Sequence, residues 1–401
     1  MSYKMVRLDK LGKIITGNTP SNKKSEYYNE ATTPFIKPNN FNPISISSLA
    51  EADEHLSLKG AAEGRLVEEG AVLVTCIGTI GSVGIASKQI CFNQQINAVV
   101  PDEDVVNNRY LAYAIINRRE QLRAIANAPV VPIINKKKFS AFEIPLPPLE
   151  TQKKIVEVLD KAQALIDARK EQIRLMDELI QLVFYEMFGD PVTNPKGWEV
   201  KKLSEILETQ PQNGMYKPKS EYVKNGFGVP ILRIDALYNG KVENWDLKRI
   251  NCSEKELEKY GLNVDDIIIN RVNSIEYLGK CAHIDRLIEA TVFESNMMRF
   301  SVVTSKINPF YLTRLLSHQY VYNQILICAK KTVNQASINQ QDVKSFDIVV
   351  PDINLQNAFT LRAKEIEKRK NDLLESSNCM DENFKSIMNS AFLGELFKSG
   401  V

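Results

Sequence analysis

This 401-residue chain has no CxxC pair, and its six cysteines (Cys76, Cys91, Cys252, Cys281, Cys328, Cys379) are scattered. That spacing excludes a disulfide frame or a zinc ribbon and leaves free, reduced thiols. The three histidines, His55, His283 and His318, are far apart in sequence and form no metal-binding motif. No stretch approaches the roughly 18 uninterrupted apolar residues of a membrane-spanning helix, and Met1 to Gly17 holds no apolar core of signal-peptide length. The chain is therefore expected in the cytoplasm, with no membrane partner. An excess of charge of one sign is also missing: 51 Lys+Arg against 49 Asp+Glu leave +2. A large nonspecific polyanion binder is excluded, and nucleic-acid binding would have to come from local basic patches or from a more positive partner.

Signatures of catalysis are absent as well. The Gly78/Gly81/Gly84 turn lacks the Lys-Ser/Thr of a P-loop and the acidic residue of a dinucleotide fold, so it reads as a strand-connecting turn. Pro101-Asp102 and Pro351-Asp352 are not followed by a nuclease Glu-x-Lys. No Asn-Pro-Pro-Tyr/Phe methyltransferase motif occurs; the nearest, Thr193-Asn194-Pro195-Lys196, lacks the second proline and the aromatic. No cofactor or metal is expected, and the chain reads as a non-enzyme.

What is present is a repeat. Phe142-Glu143-Ile144-Pro145-Leu146-Pro147, Gln152 and a long helix recur as Phe346-Asp347-Ile348-Val349-Val350-Pro351, Gln356 and a second long helix, each pair 204 residues apart. Earlier pieces match at a drifting offset: Pro34-Phe35-Ile36-Lys37 with Pro230-Ile231-Leu232-Arg233, and Arg109-Tyr110-Leu111 with Phe310-Tyr311-Leu312. Short β-branched runs such as Ala71–Val74 and Ile96–Val100 read as strands, and Arg109–Ala126 as one amphipathic helix. At 401 residues, 44% hydrophobic and 25% charged, two to four structural units fit. A chain built twice carries two similar faces, and so suits a reader of a two-part ligand better than a single-pocket enzyme.

The helices carry the clearest period. Ile155, Leu159, Ala162, Ile166, Arg169, Ile173, Met176, Ile180, Val183 and Met187 alternate steps of four and three; adding 204 gives Phe359, Ala363, Ile366, Lys370, Leu373, Ser377, Met380, Phe384, Ile387 and Ala391. Such spacing predicts a coiled-coil seam. The second helix must return along the first, so the pair is expected to be antiparallel, with Arg169 opposite Ser377. The seam would span about 50 Å at about 1.5 Å per residue. From Glu150 to Asp190 six Lys/Arg face nine Asp/Glu, which suits protein partners better than DNA.

Thr16-Gly17-Asn18-Thr19-Pro20-Ser21, Gly78-Thr79-Ile80-Gly81-Ser82-Val83-Gly84, Asn93-Gln94-Gln95-Ile96-Asn97, Pro145-Leu146-Pro147-Pro148-Leu149-Glu150-Thr151-Gln152 and Ser390-Ala391-Phe392-Leu393-Gly394-Glu395-Leu396, in this order, resemble the specificity subunit of type I restriction–modification systems. The likeness covers essentially the whole chain. It implies an α/β (α+β) fold of two tandem target-recognition domains, 1–148 and 191–351, each followed by a spacer helix, 149–190 and 352–401. The helices would pack as an antiparallel coiled coil with pseudo-twofold symmetry. The implied role is to read a bipartite target in double-stranded DNA and to dock two methyltransferase (modification) subunits and restriction/translocase subunits. The second copy departs from the first, with Glu294-Ser295-Asn296 for Asn93-Gln94-Gln95, so a different half-site is expected. A scaffold or antirestriction decoy with the same shape remains the alternative.

For DNA contact the loops offer Thr19, Ser21, Lys23, Lys24, Lys37, Asn39, Asn40, Thr79, Gln94, Gln95, Lys136, Lys137 and Lys138 in the first copy. The second offers Tyr216, Lys217, Lys219, Arg233, Asp235, Arg271, Asn273, Lys330, Lys331, Asn334 and Gln335. Amides suit adenine, and lysine and arginine suit guanine or phosphate. Any one of them can equally be an ordinary surface residue.

Overall fold

The computed structural model describes residues 3–126, 131–223, 226–333 and 335–397. They form two compact units, residues 1–172 with 373–401, and residues 173–372.

In the first unit a five-stranded sheet runs in the order Gly12–Thr16, Ile96–Pro101, Val72–Thr75, Val83–Ala86, Ser47–Leu49. The pairs are antiparallel except the last. Val72–Thr75 is buried on both faces, as an unbroken apolar run demands. Beside it lies a second sheet in the order His55–Leu56, Thr33–Ile36, Ile90–Phe92, Leu66–Val67. Lys4–Arg7 pairs with Glu143–Leu146, so the two ends of the module are tied together.

The second unit repeats this plan. Leu207–Asn213, Met297–Val302, Ile267–Asn270 and Cys281–His283 neighbour one another in order, Thr33–Ile36 has its counterpart in Val229–Leu232, and Glu199–Lys202 pairs with Asp347–Val350. Val74 faces Asn97 as Ile269 faces Met298. This register makes Gly70 (φ 90°) and Asp265 (φ 71°), both in the left-handed region, equivalent positions.

Two local expectations need correction. The helix expected over Arg109–Ala126 is two helices, Asn108–Asn117 and Arg119–Ala124, broken at Arg118 (φ −105°, ψ 19°). The first is buried on nearly every side, from Tyr110 to Ile115, rather than amphipathic. After the break Arg119 donates to Gly81 O (2.7 Å) and Pro43 O, and Arg123 to Ile80 O (3.2 Å), so the second helix staples the glycine turn. The second unit breaks at the same place, between Pro309–Leu316 and Gln319–Cys328. In the turn itself Gly78 and Gly81 take positive φ (73° and 84°), but Gly84 lies inside strand Val83–Ala86, where a Cβ would meet Leu49.

Leu149–Phe188 and Ile353–Phe392 are both 40-residue helices. In the second unit Phe184 and Phe188 pack their rings on Phe359 (5.6 and 5.4 Å), and Lys370 bonds Asp177 (2.7 Å). Contacts that rise along one helix fall along the other, so these segments run antiparallel. In the first unit Ile155 and Leu159 share a core with Met388, Ala391 and Phe392. Of the seam residues, Ile155, Leu159, Ile166, Ile180 and Phe359 are buried, whereas Ile173, Met176, Ile366, Leu373, Met380, Phe384 and Ile387 are half-buried. Ile173, Met176, Leu373 and Met380 belong to neither core. No bond joins Arg169 to Ser377 among the described residues, whereas Lys370 bonds Asp177, the neighbour of Met176.

Candidate nucleic-acid interface

At one end of each module four chain segments lie side by side, held by backbone hydrogen bonds. In the first module Gly17 N donates to Ile96 O (3.1 Å), Asn18 N to Phe92 O (3.1 Å), Cys76 N to Gln95 O (2.7 Å) and Ile134 N to Cys76 O (2.9 Å). The second module makes the same bonds: Gly214 N to Met297 O (3.0 Å), Met215 N to Phe293 O (3.0 Å), Arg271 N to Asn296 O (2.8 Å) and Ile338 N to Arg271 O (3.0 Å). Glycine is required at the first position, because a Cβ on Gly17 would overlap the carbonyl oxygens of Phe92 and Asn93. On Gly214 it would overlap those of Phe293 and Glu294.

The first rim brings together Thr19, Gln94 and Gln95, while Thr79 is exposed in the glycine turn, its carbonyl accepting the Thr75 hydroxyl. Thr19 Oγ1 lies 2.6 Å from Gln94 Oε1. Asn93, which the candidate set lacks, is buried: its Oδ1 accepts the Gln95 N–H (3.1 Å), which turns its Nδ2 onto Gln95 Oε1 (2.9 Å). The helix Lys136–Ser140 follows directly, capped by Asn135, with Lys136 and Lys137 exposed and Lys138 Nζ donating to Ile125 O (2.9 Å). Ser21 and Lys23 are exposed, while Lys24 donates to the Tyr27 hydroxyl (2.9 Å). Other candidates are engaged within the protein. Lys37 pairs with Glu54, Asn39 donates to Asp53 (2.9 Å), and Asn40 closes its own turn by accepting the Lys37 N–H (2.8 Å).

On the second rim Tyr216 is 78% exposed and stands where Thr19 stands in the first. Lys217 is tied to Glu256 (2.9 Å); the Ser253 N–H and then this lysine hold the Glu256 carboxyl down at about 2. Arg233 lies between exposed Asp235 (3.8 Å) and Glu294 (3.7 Å). Asn273 is half-buried, and Lys219 is exposed. Lys330-Lys331 form an exposed edge strand on Ala336-Ser337, which pairs in turn with Val272-Asn273. Gln335 is exposed, with its carbonyl accepting the Thr332 N–H (2.7 Å). Asn334 lies outside the described residues.

Among the described residues neither rim assembles a nucleophile with a base. Burial pushes the Cys76 thiol up to about 12, and those of Cys91 and Cys281 up to about 11, so none is a thiolate near neutral pH. Among the described residues no group of histidine, cysteine and carboxylate side chains could hold a metal ion. His283 bonds Asp265 (2.9 Å), and His318 bonds the Tyr185 hydroxyl (2.7 Å) while capping the helix after it. Hydroxyls, amides and cations held on a rigid frame suit hydrogen bonding to a ligand. No helix among the described residues is long and apolar enough to cross a membrane.

The model of the family described as "Type I restriction modification DNA specificity domain" matches residues 2–175 and again 195–376. The chain belongs to this family. The specificity subunit of the type I restriction enzyme EcoKI from Escherichia coli is 27% identical over 297 residues, 69% of this chain and 63% of that one. The chain thus matches somewhat less than two thirds of that relative's length. Among solved structures, a chain from work on complex assembly and conformational transition of the type I R-M system superposes with TM-score 0.65 at 16% identity, covering 98% of both chains. A type I restriction–modification S subunit from M. genitalium gives 0.54 at 12%, covering 98% of this chain and 96% of that one. At these identities the structural likeness speaks for the specificity-subunit fold alone.

Proposed function

We propose that this chain is a non-catalytic DNA-reading subunit whose two rims each bind one half of a split target. The observation that carries the reading is the repeated rim: one set of backbone bonds, built twice, with different side chains in equivalent places. Thr19, Gln94, Gln95 and Cys76 in the first module stand where Tyr216, Ser295, Asn296 and Arg271 stand in the second. A constant frame with variable side chains is what two different half-sites demand, because phosphate contacts position a protein while base contacts specify sequence.

In this reading the target-recognition domains are residues 1–148 and 191–351, and the helices 149–190 and 352–401 form an antiparallel coiled coil that sets the spacer. The pseudo-twofold plan calls for two copies of a partner. Family membership points to methyltransferase subunits, joined by restriction/translocase subunits for cleavage. The first helix, with more acidic than basic residues, suits a protein partner. A net charge of +2 leaves such partners to supply much of the phosphate neutralisation.

Selection of bound duplexes from a randomised library, with the full chain and its methyltransferase subunit, tests the reading. The expected result is a motif of two defined blocks separated by undefined bases. Recovery of no motif would favour a decoy that keeps the shape without reading sequence.

A further inference from the structure

We propose that Arg271 reads a guanine in the half-site bound by the second module, an inference that rests on the second rim facing DNA. Arg271 follows strand Ile267–Asn270, and its backbone is clamped on both sides, its N–H on Asn296 O (2.8 Å) and its carbonyl by the Ile338 N–H (3.0 Å). One terminal nitrogen of the guanidinium donates to Ser295 O (3.1 Å), which fixes the plane of the fork. Its Nε is buried with no acceptor.

Arg233 Nε is also buried without a hydrogen-bond partner, so it is the missing counter-charge that sets Arg271 apart in the second unit. The other half-buried guanidinium groups of the second unit each meet a carboxylate: Arg233 with Glu294, Arg249 with Glu289, Arg299 with Asp266 and Arg314 with Glu367. Arg271 has none among the described residues. A partly buried cation without a counter-charge is unfavourable until a ligand supplies acceptors. Guanine N7 and O6 form a pair of acceptors in the major groove that the planar guanidinium fork matches two-to-two. In the first module the equivalent bonds are made by Cys76, a buried thiol, so this guanine belongs to the second half-site only.

The test takes the motif that the full chain selects from a randomised duplex library and replaces its guanines, one at a time, with 7-deazaguanine, which lacks only the N7 acceptor. One position in the second half-site should weaken binding about tenfold. Arg271→Ala should lose base preference at that position alone and become indifferent to the replacement there. Arg271→Lys, which keeps the charge without the fork, should lose most of the discrimination. A second half-site with no sensitive guanine overturns the inference, and the wild-type arm needs no folded variant to show it. Even weakening of all sequences by Arg271→Ala, with a salt dependence shallower by about one phosphate, also overturns it, in favour of a backbone contact. A wild-type chain that selects no two-part motif fails the functional reading itself.

Discussion

Gln152 Oε1 accepts the Asn107 N–H at 2.9 Å, while Gln152 Nε2 donates to Pro147 O (2.9 Å) and Val105 O (3.1 Å). This fully buried amide at the root of the first long helix thus closes three backbone groups of the first module. Gln356 does the same in the second, with Asn308 N (2.8 Å), Pro351 O (2.7 Å) and Lys306 O (3.4 Å). Replacing either by alanine leaves buried donors and acceptors unpaired, at a cost of roughly 3 kcal/mol. Hydrogen exchange should report the loss in the affected module only, near Asn107 for Gln152→Ala and near Asn308 for Gln356→Ala. Equal loss of protection in both modules would contradict this.

The seam should be uneven in stability. Phe359 is fully buried among Phe184, Phe188 and Phe310, so Phe359→Ala is expected to cost about 3–5 kcal/mol. Ile173 is half-buried and outside both cores, so an aspartate there keeps some water, and Ile173→Asp should cost roughly 1–2 kcal/mol. Urea denaturation ranks the two, and the reverse order would contradict the burial pattern.

Burial pushes the Asp266 carboxyl up to about 6, from an ordinary 3.8, against the opposing pull of the Asn263 N–H and of Arg299. The folded protein therefore holds a proton that the unfolded chain has released between about pH 4 and 6, and stability falls as pH rises through that window. Asp266→Asn keeps an acceptor for the Asn263 N–H, should remove that slope, and should be about 2 kcal/mol more stable than the parent at pH 7. Thermal melts from pH 4 to 7 measure both; a slope unchanged in the variant would assign it elsewhere.

The repeat was legible because it rests on local pattern. Gln152 and Gln356 declare themselves by spacing, and the helices by their seam. What they bond was not legible, since Gln152 reaches back 45 residues to Asn107. The site was harder for the same reason. Lys37, Asn39 and Lys217 look like free surface groups in sequence, but Glu54, Asp53 and Glu256, 14 to 39 residues away, engage them. Asn93 belongs to the Asn93-Gln94-Gln95 motif, yet its role in orienting Gln95 depends on side-chain direction, which spacing does not carry. The break at Arg118 was hidden because Arg119 and Arg123 fit a helical pattern while their bonds go to a turn some 40 residues earlier.

The central claim is that each module reads its own half of the target, and Gln94 and Gln95 test it most directly. Both sit on the first rim, the first exposed and the second half-buried. With both changed to alanine, binding to a panel of single-base variants across the two half-sites should show preference relaxed by about 1–3 kcal/mol at positions in one half only. The other half, contacted through separate residues, should keep its bases. Equal relaxation in both halves, or none in either, would contradict the account.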